Sequence, residues 1–249
     1  MSAMKKIGLS SSALHIIAMA CMLCDHLWLA LIPDNDWMTV VGRLAFPIFA
    51  FLTVEGFYHT HSLKRYIIRL AALAVISEIP FNLLASGEVF YPLHQNVIWT
   101  LLLGLIGIAL MERAKNKGKP ALTVIIDAAV IIAGFILGFV LFTDYFGVGV
   151  LTVFVFYFFR EKRWWSYLGQ AVFLIILNAV ILKGRQIGFT LFGAEMLIPL
   201  QAFAVLALIP IWLYNGAQGK TSKTFRYLCY AFYPIHMLVL YLLSCLIAY

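Results

Sequence analysis

The chain has 249 residues, of which 63% are hydrophobic and only 12% charged, and its mean hydropathy is +0.96. Soluble domains carry about 25% charged residues, so the composition excludes a water-soluble protein and puts the chain in a bilayer. A net charge of +7 would suit a nucleic-acid binder, but Lys and Arg cluster in short connectors between apolar runs, as membrane orientation requires, so no nucleic-acid partner is expected.

Apolar runs of about 20 residues recur along the whole length, and no polar block is large enough for a separate soluble domain. Residues 1–249 therefore read as one all-α domain, a polytopic integral membrane helical bundle. Nine spans fit, at 12–32, 38–58, 66–86, 95–112, 120–142, 146–160, 166–182, 195–214 and 228–248, the sixth and seventh being short. Lys5 and Lys6 before the first run resemble the start of a signal peptide, but no small-x-small cleavage site precedes "PDND" at 33–36, so a retained first helix is expected. Alternate connectors are basic: Lys64 and Arg65, then Arg113, Lys115, Lys117 and Lys119, then Arg160, Lys162 and Arg163, then Lys220, Lys223 and Arg226. The opposite set holds only Lys183 and Arg185, which predicts a cytoplasmic N-terminus and, with nine spans, an outer C-terminus. Pro47, Pro80, Pro199, Pro210 and Pro234 fall inside spans, where each removes a backbone hydrogen bond and favours a kink.

The first span carries His15 near its start and the pair Asp25–His26 near its end. Eleven residues advance about 16 Å and return to within about 20° of the starting direction, so His15 and His26 share one face while Asp25 projects about 100° away. The second span has Arg43 in its outer third and Glu55 in its inner third. The third has Arg69 at the inner end and Glu78 above the middle, with Asn82 one turn later. The fourth brings Asn96 to its outer end, and the ninth carries His236 just after a proline. A charge at the bilayer centre costs about 2.5–3.5 kcal/mol, so these residues need a reason. One reason is mutual pairing as structural ion pairs. The other, favoured for His26, is proton transfer by an imidazole that Asp25, Arg43, Glu78 and Asn82 surround at similar depth. Cys21, Cys24, Cys229 and Cys245 all lie in apolar segments and read as small hydrophobes, and Cys21-x-x-Cys24 lacks the second pair of a metal site, so no metal is expected. Two function classes stay open on these grounds: a membrane group-transfer enzyme and a proton-coupled transporter. No P-loop, Ser elbow or zinc motif supports hydrolase or ATP-driven chemistry.

Longer pieces are more telling. "SSALHIIAMACMLCDH" (11–26), "VGRLAFPIFAFLTVEGFYHT" (41–60), "RLAALAVISEIPFN" (69–82), "TDYFGVGVL" (143–151), "LYNGAQG" (213–219) and "YAFYPIHMLVL" (230–240) resemble the TraX family of bacterial membrane proteins over nearly the whole chain. That family is similar to the wider transmembrane acyltransferase superfamily, whose first span carries an Arg or Lys, ten residues, then a His. His26 matches the histidine of that pattern, and His15 stands where the Arg or Lys is usual. The resemblance implies a multi-pass protein of the bacterial cytoplasmic (inner) membrane that moves an acetyl group from acetyl-CoA to an outer-face acceptor, a peptide, a glycan or a small amine. Under that reading His26 is the general base, Asp25 or Glu78 orients its imidazolium, and Arg43 neutralises charge on the thioester oxygen. His15, Glu55 and Arg69 are candidates for the donor site, with Asn96 and His236 as secondary ones. A self-sufficient bundle and a homo-oligomer fit the sequence equally.

Overall fold

The computed structural model describes residues 8–191, 194–219 and 222–247; Lys5, Lys6 and Lys220, counted above among the basic residues, lie outside them. Helix α1 (Ser11–Ala30) starts where the Ser10 hydroxyl accepts from the Ala13 N–H at 3.3 Å. Its next free donors, Ser11 N and Ser12 N, are taken by the carbonyls of Ala217 and Gln218 at 2.9 and 3.2 Å, so the 213–219 loop plugs this helix end. The second span is broken into α2 (Asp36–Gly42) and α3 (Ala45–His59). Pro47 has no N–H to close on the carbonyl four residues back, and the chain turns there, at Arg43–Leu44. Helix α4 (Leu63–Ser86) begins at a Ser62 cap and stops at Gly87, whose φ of 75° is the left-handed conformation that glycine adopts freely.

Next come α5 (Val97–Lys115), capped by Asn96, α6 (Pro120–Val140) with proline at its first turn, and α7 (Phe146–Phe158). Helix α8 (Trp164–Ile175) continues as a π-helical stretch, Ile176–Leu182. Strands β1 (Gln186–Leu191) and β2 (Ala194–Pro199) then pair antiparallel, from Gln186↔Pro199 to Leu191↔Ala194. A 3-10 segment, Leu200–Ala207, runs into α9 (Leu208–Trp212), and α10 (Lys223–Ile247) closes the chain.

Seven helical spans among the described residues are long and apolar enough to cross a membrane, and Phe146–Phe158 and Leu200–Trp212 are shorter apolar helices. The protein is a multi-pass membrane helical bundle. One expected boundary is corrected: residues 195–199, the start of the predicted span 195–214, belong to strand β2. The short apolar stretch from Met196 to Ile198 carries no period that separates helix from strand, and its pairing with β1 decides for the strand. The remaining helical stretch, Leu200–Trp212, extends about 24 Å, because its 3-10 part rises about 2.0 Å per residue in place of 1.5 Å. Helix α7 spans only about 20 Å, but Val148, Val150, Val153 and Phe156 on it are buried to 1% exposure or less, so other helices shield it from lipid. By contrast α6 buries only Gly134 and Gly138; a Cβ on Gly138 would fall 2.6 Å from the Gly147 Cα, so this pair lets α6 and α7 touch backbone to backbone.

The connectors gather at two ends. At the basic end Leu9 N donates to the Leu213 carbonyl (2.8 Å), the Lys162 ammonium to the Tyr214 carbonyl, and Arg160 pairs with Glu55 at 2.6 Å. At the opposite end Gln95 N donates to the Phe142 carbonyl and Asp144 N to the Gln95 carbonyl, both at 2.8 Å, and Arg185 pairs with Asp36 at 3.0 Å.

Candidate functional site

His26 and His236 are 210 residues apart in sequence, yet α10 packs beside α1 so that His26 Nδ1 lies 2.7 Å from His236 Nε2. The two rings are nearly coplanar, 4° apart with centroids 4.9 Å apart. His236 Nδ1 lies 2.7 Å from the Phe232 carbonyl, and the Phe232 ring stacks on the imidazole at 4.6 Å. A carbonyl only accepts, so His236 Nδ1 carries a hydrogen and the Nε2 of neutral His236 is a lone pair. His26 Nδ1 must then donate to it, which leaves the lone pair of His26 on Nε2. That nitrogen has no hydrogen-bond partner among the described residues, and His26 is half-buried.

Asp25 does not orient this ring. Its carboxylate binds Arg43 Nη2 at 2.5 and 2.6 Å and accepts the Thr39 hydroxyl at 2.7 Å. Arg43 in turn donates through Nε to the Thr39 carbonyl and through Nη1 to Gln201, whose amide continues to Asn178 in the π-helical stretch. Gly42 makes this cluster possible, because a Cβ there would sit 2.3 Å from Asp25 Cβ. The guanidinium therefore ties α1, α2 and the Leu200–Ala207 segment together.

Glu78 does not reach His26 by any hydrogen bond either. Its Oε2 accepts from the Asn96 amide and from Trp99 Nε1 at 3.0 Å, and its buried Oε1 has no partner among the described residues. Asn96 is fully buried, donates to the Ala74 carbonyl at 2.8 Å and caps α5 by accepting from Ile98 N at 3.1 Å. Its amide is used up in holding α4 to α5, so a donor-binding role for Asn96 is not what the geometry offers. Nearby, His94 Nε2 stands 3.4 Å from Asp144 Oδ1.

The basic end opens into a cavity of about 560 Å³, within the range of small-molecule sites. His15, His59, His61, Arg65, Arg69 and Arg226 line it. Part of its wall is apolar, with Met19, Leu73, Ile98 and Leu101, and it reaches Met22 and Tyr233, one turn short of His26 and His236 on their own helices. His15 Nδ1 donates to the Ser11 carbonyl at 2.8 Å, which turns its other nitrogen away from the helix backbone. Arg65, Arg69 and Arg226 make no ion pair among the described residues, although Arg69 lies 5.9 Å over the Tyr66 ring. Glu55 also lines the cavity, but its side chain is 8% exposed and paired with Arg160, so it anchors α3 to the α7–α8 connector. Among the described residues no group of three or more His, Cys, Asp or Glu is arranged to hold a metal ion.

The TraX protein family matches residues 10–244 of this chain. The chain belongs to the TraX family. It is also similar to the probable fimbrial assembly protein FimC, serogroup H1, of Dichelobacter nodosus, at 29% identity covering 95% of this chain and 96% of the relative. No solved structure matches it.

In this TraX-family chain the polar residues named from sequence thus divide into two groups. His26 and His236 meet, while His15, Arg69 and Glu55 share the cavity wall. Asp25, Arg43, Glu78 and Asn96 instead form helix-to-helix clamps. Thr39, Trp99 and Gln201 complete these networks and Asp144 pairs with His94; none of the four is singled out by sequence reasoning. The piece "TDYFGVGVL" was the only signal for Asp144; Thr39, Trp99 and Gln201 had none.

Proposed function

We propose that this protein is an acetyltransferase of the bacterial inner membrane, moving an acetyl group from cytoplasmic acetyl-CoA to an amine or hydroxyl at the opposite face. The observation that carries this reading is the Nε2 of His26, without a partner among the described residues and one helical turn beyond a cavity whose other end is cationic. Arg65, Arg69 and Arg226, free of ion pairs among the described residues, suit the phosphates of coenzyme A, and the apolar inner wall suits its thioester arm. The excess of Lys and Arg makes that end cytoplasmic by the positive-inside rule.

In this mechanism His26 Nε2 takes the proton of the acceptor N–H or O–H as that atom attacks the thioester carbonyl. The new C–N or C–O bond forms, the C–S bond breaks, and the thiolate of coenzyme A leaves and recovers the proton. Asp25 and Arg43 hold the end of α1 in place through their ion pair. The relative's printed role in fimbrial assembly makes a fimbrial subunit the acceptor to test first.

The test uses purified protein in proteoliposomes with labelled acetyl-CoA and fimbrial-subunit peptides, amines and glycans as acceptors. His26→Ala, checked for folding, is expected to lower turnover by about 10²–10⁴-fold. Equal turnover in the variant would remove His26 from the chemistry. No turnover and no acetyl-CoA binding by the wild type would overturn the enzyme reading in favour of proton-coupled transport.

A further inference from the structure

We propose that His236 is the positioning residue of His26: it fixes the reactive tautomer and takes up part of the charge when His26 is protonated. The inference deepens the acetyltransferase reading and rests on it for its kinetic part. Three observations carry it. The Phe232 carbonyl commits the Nδ1 hydrogen of His236 at 2.7 Å, His236 Nε2 faces His26 Nδ1 at 2.7 Å, and the near-coplanar rings align that lone pair with the N–H. His236 is 7% exposed and held by the stacked Phe232 ring at 4.6 Å, so the geometry costs no reorganisation during reaction. Asp25, the carboxylate next to His26 in sequence, is occupied by Arg43 and Thr39. An imidazole therefore fills the orienting position that a carboxylate holds in the serine-hydrolase triad.

The proton balance follows from the same contacts. When the acceptor proton arrives on His26 Nε2, the Nδ1 proton shifts toward His236 Nε2. His236 then carries hydrogen on both nitrogens while its Nδ1–H stays on the Phe232 carbonyl. Return of the proton to His26 Nδ1 lets Nε2 release its own to the departing thiolate, and both rings end neutral as they began. Unlike a carboxylate, this partner adds no fixed negative charge inside the bilayer.

Nitrogen-15 NMR of histidine-labelled protein in detergent, at a pH where the pair is neutral, reads the tautomer directly, with His26→Asn assigning the signals. The wild type is expected to hold hydrogen on His26 Nδ1 and a lone pair on Nε2. His236→Ala is expected to lose that preference and to lower kcat by about 10²-fold or more, with the KM for acetyl-CoA within about two-fold. His236→Gln, whose amide oxygen can accept from His26 Nδ1, is expected to keep the tautomer and to recover at least about ten-fold in kcat over His236→Ala. A wild type with hydrogen on Nε2, an unchanged tautomer in His236→Ala, or a glutamine variant no better than alanine would overturn the proposal. Absence of turnover in the wild type would overturn the acetyltransferase reading instead, and the NMR arm would still decide whether His236 fixes the tautomer.

Discussion

His94 lies in the connector between α4 and α5, with Nε2 3.4 Å from Asp144 Oδ1. The hydrogen bond to that carboxylate raises its pKa above the ordinary histidine value, against a smaller opposing effect of burial. A raised folded pKa means that the pair's stabilisation is complete below about pH 6.5 and fades as pH rises through the folded value. Both side chains are partly exposed, at 41% and 30%, so the contribution is under about 1 kcal/mol. Thermal unfolding in detergent should show stability falling from pH 6 to pH 8, and His94→Gln should remove that part of the slope. A slope unchanged by the substitution would mean that other groups set it. At this scale the sequence tells residue type and depth, which is enough to name His26 as a candidate. It did not tell Asn96 the helix cap from Asn96 the ligand, because both uses need the same amide at the same depth.

Gly42 shows what an element can demand of a single position. It stands at the end of α2, where the helix presses on α1 so closely that a Cβ would lie 2.3 Å from Asp25 Cβ. Gly42→Ala should push α1 and α2 apart, disrupt the Asp25–Arg43 pair and cost about 1–3 kcal/mol, read as a lower unfolding temperature in detergent. An unchanged temperature would show that the two helices slide without loss. The helices themselves were legible in sequence, since apolar length and connector charge are local properties. The hairpin of β1 and β2 was not: Ile187, Phe189 and Leu191 alternate with Gln186, Gly188 and Thr190 over six residues only, β2 carries no such alternation, and the two strands owe their form to each other.

For the whole molecule, the feature with the largest consequence is the cavity that joins the cationic end of the bundle to the neighbourhood of the two histidines. Arg65→Gln and Arg69→Gln should each raise the KM for acetyl-CoA by roughly ten-fold while leaving kcat nearly unchanged, since a charge-assisted contact is worth about 1.5–3 kcal/mol. Added salt should weaken donor binding by the wild type more than by the double variant. Loss of kcat with KM unchanged would instead place these arginines in support of the fold.

The sequence by itself determined that this chain lives in a membrane, how many times its apolar runs recur, which end is basic, and that His15 and His26 share one helical face. All of these follow from composition and from the 3.6-residue period, which act over tens of residues at most. Only the tertiary structure decided which partner each buried polar group takes. Asp25 went to Arg43, Glu78 to Asn96 and Trp99, and His26 to a histidine 210 residues away. The physical reason is that a buried polar group must find a partner wherever helix packing brings one. That choice depends on how α10 closes against α1, and no local pattern in the chain encodes it.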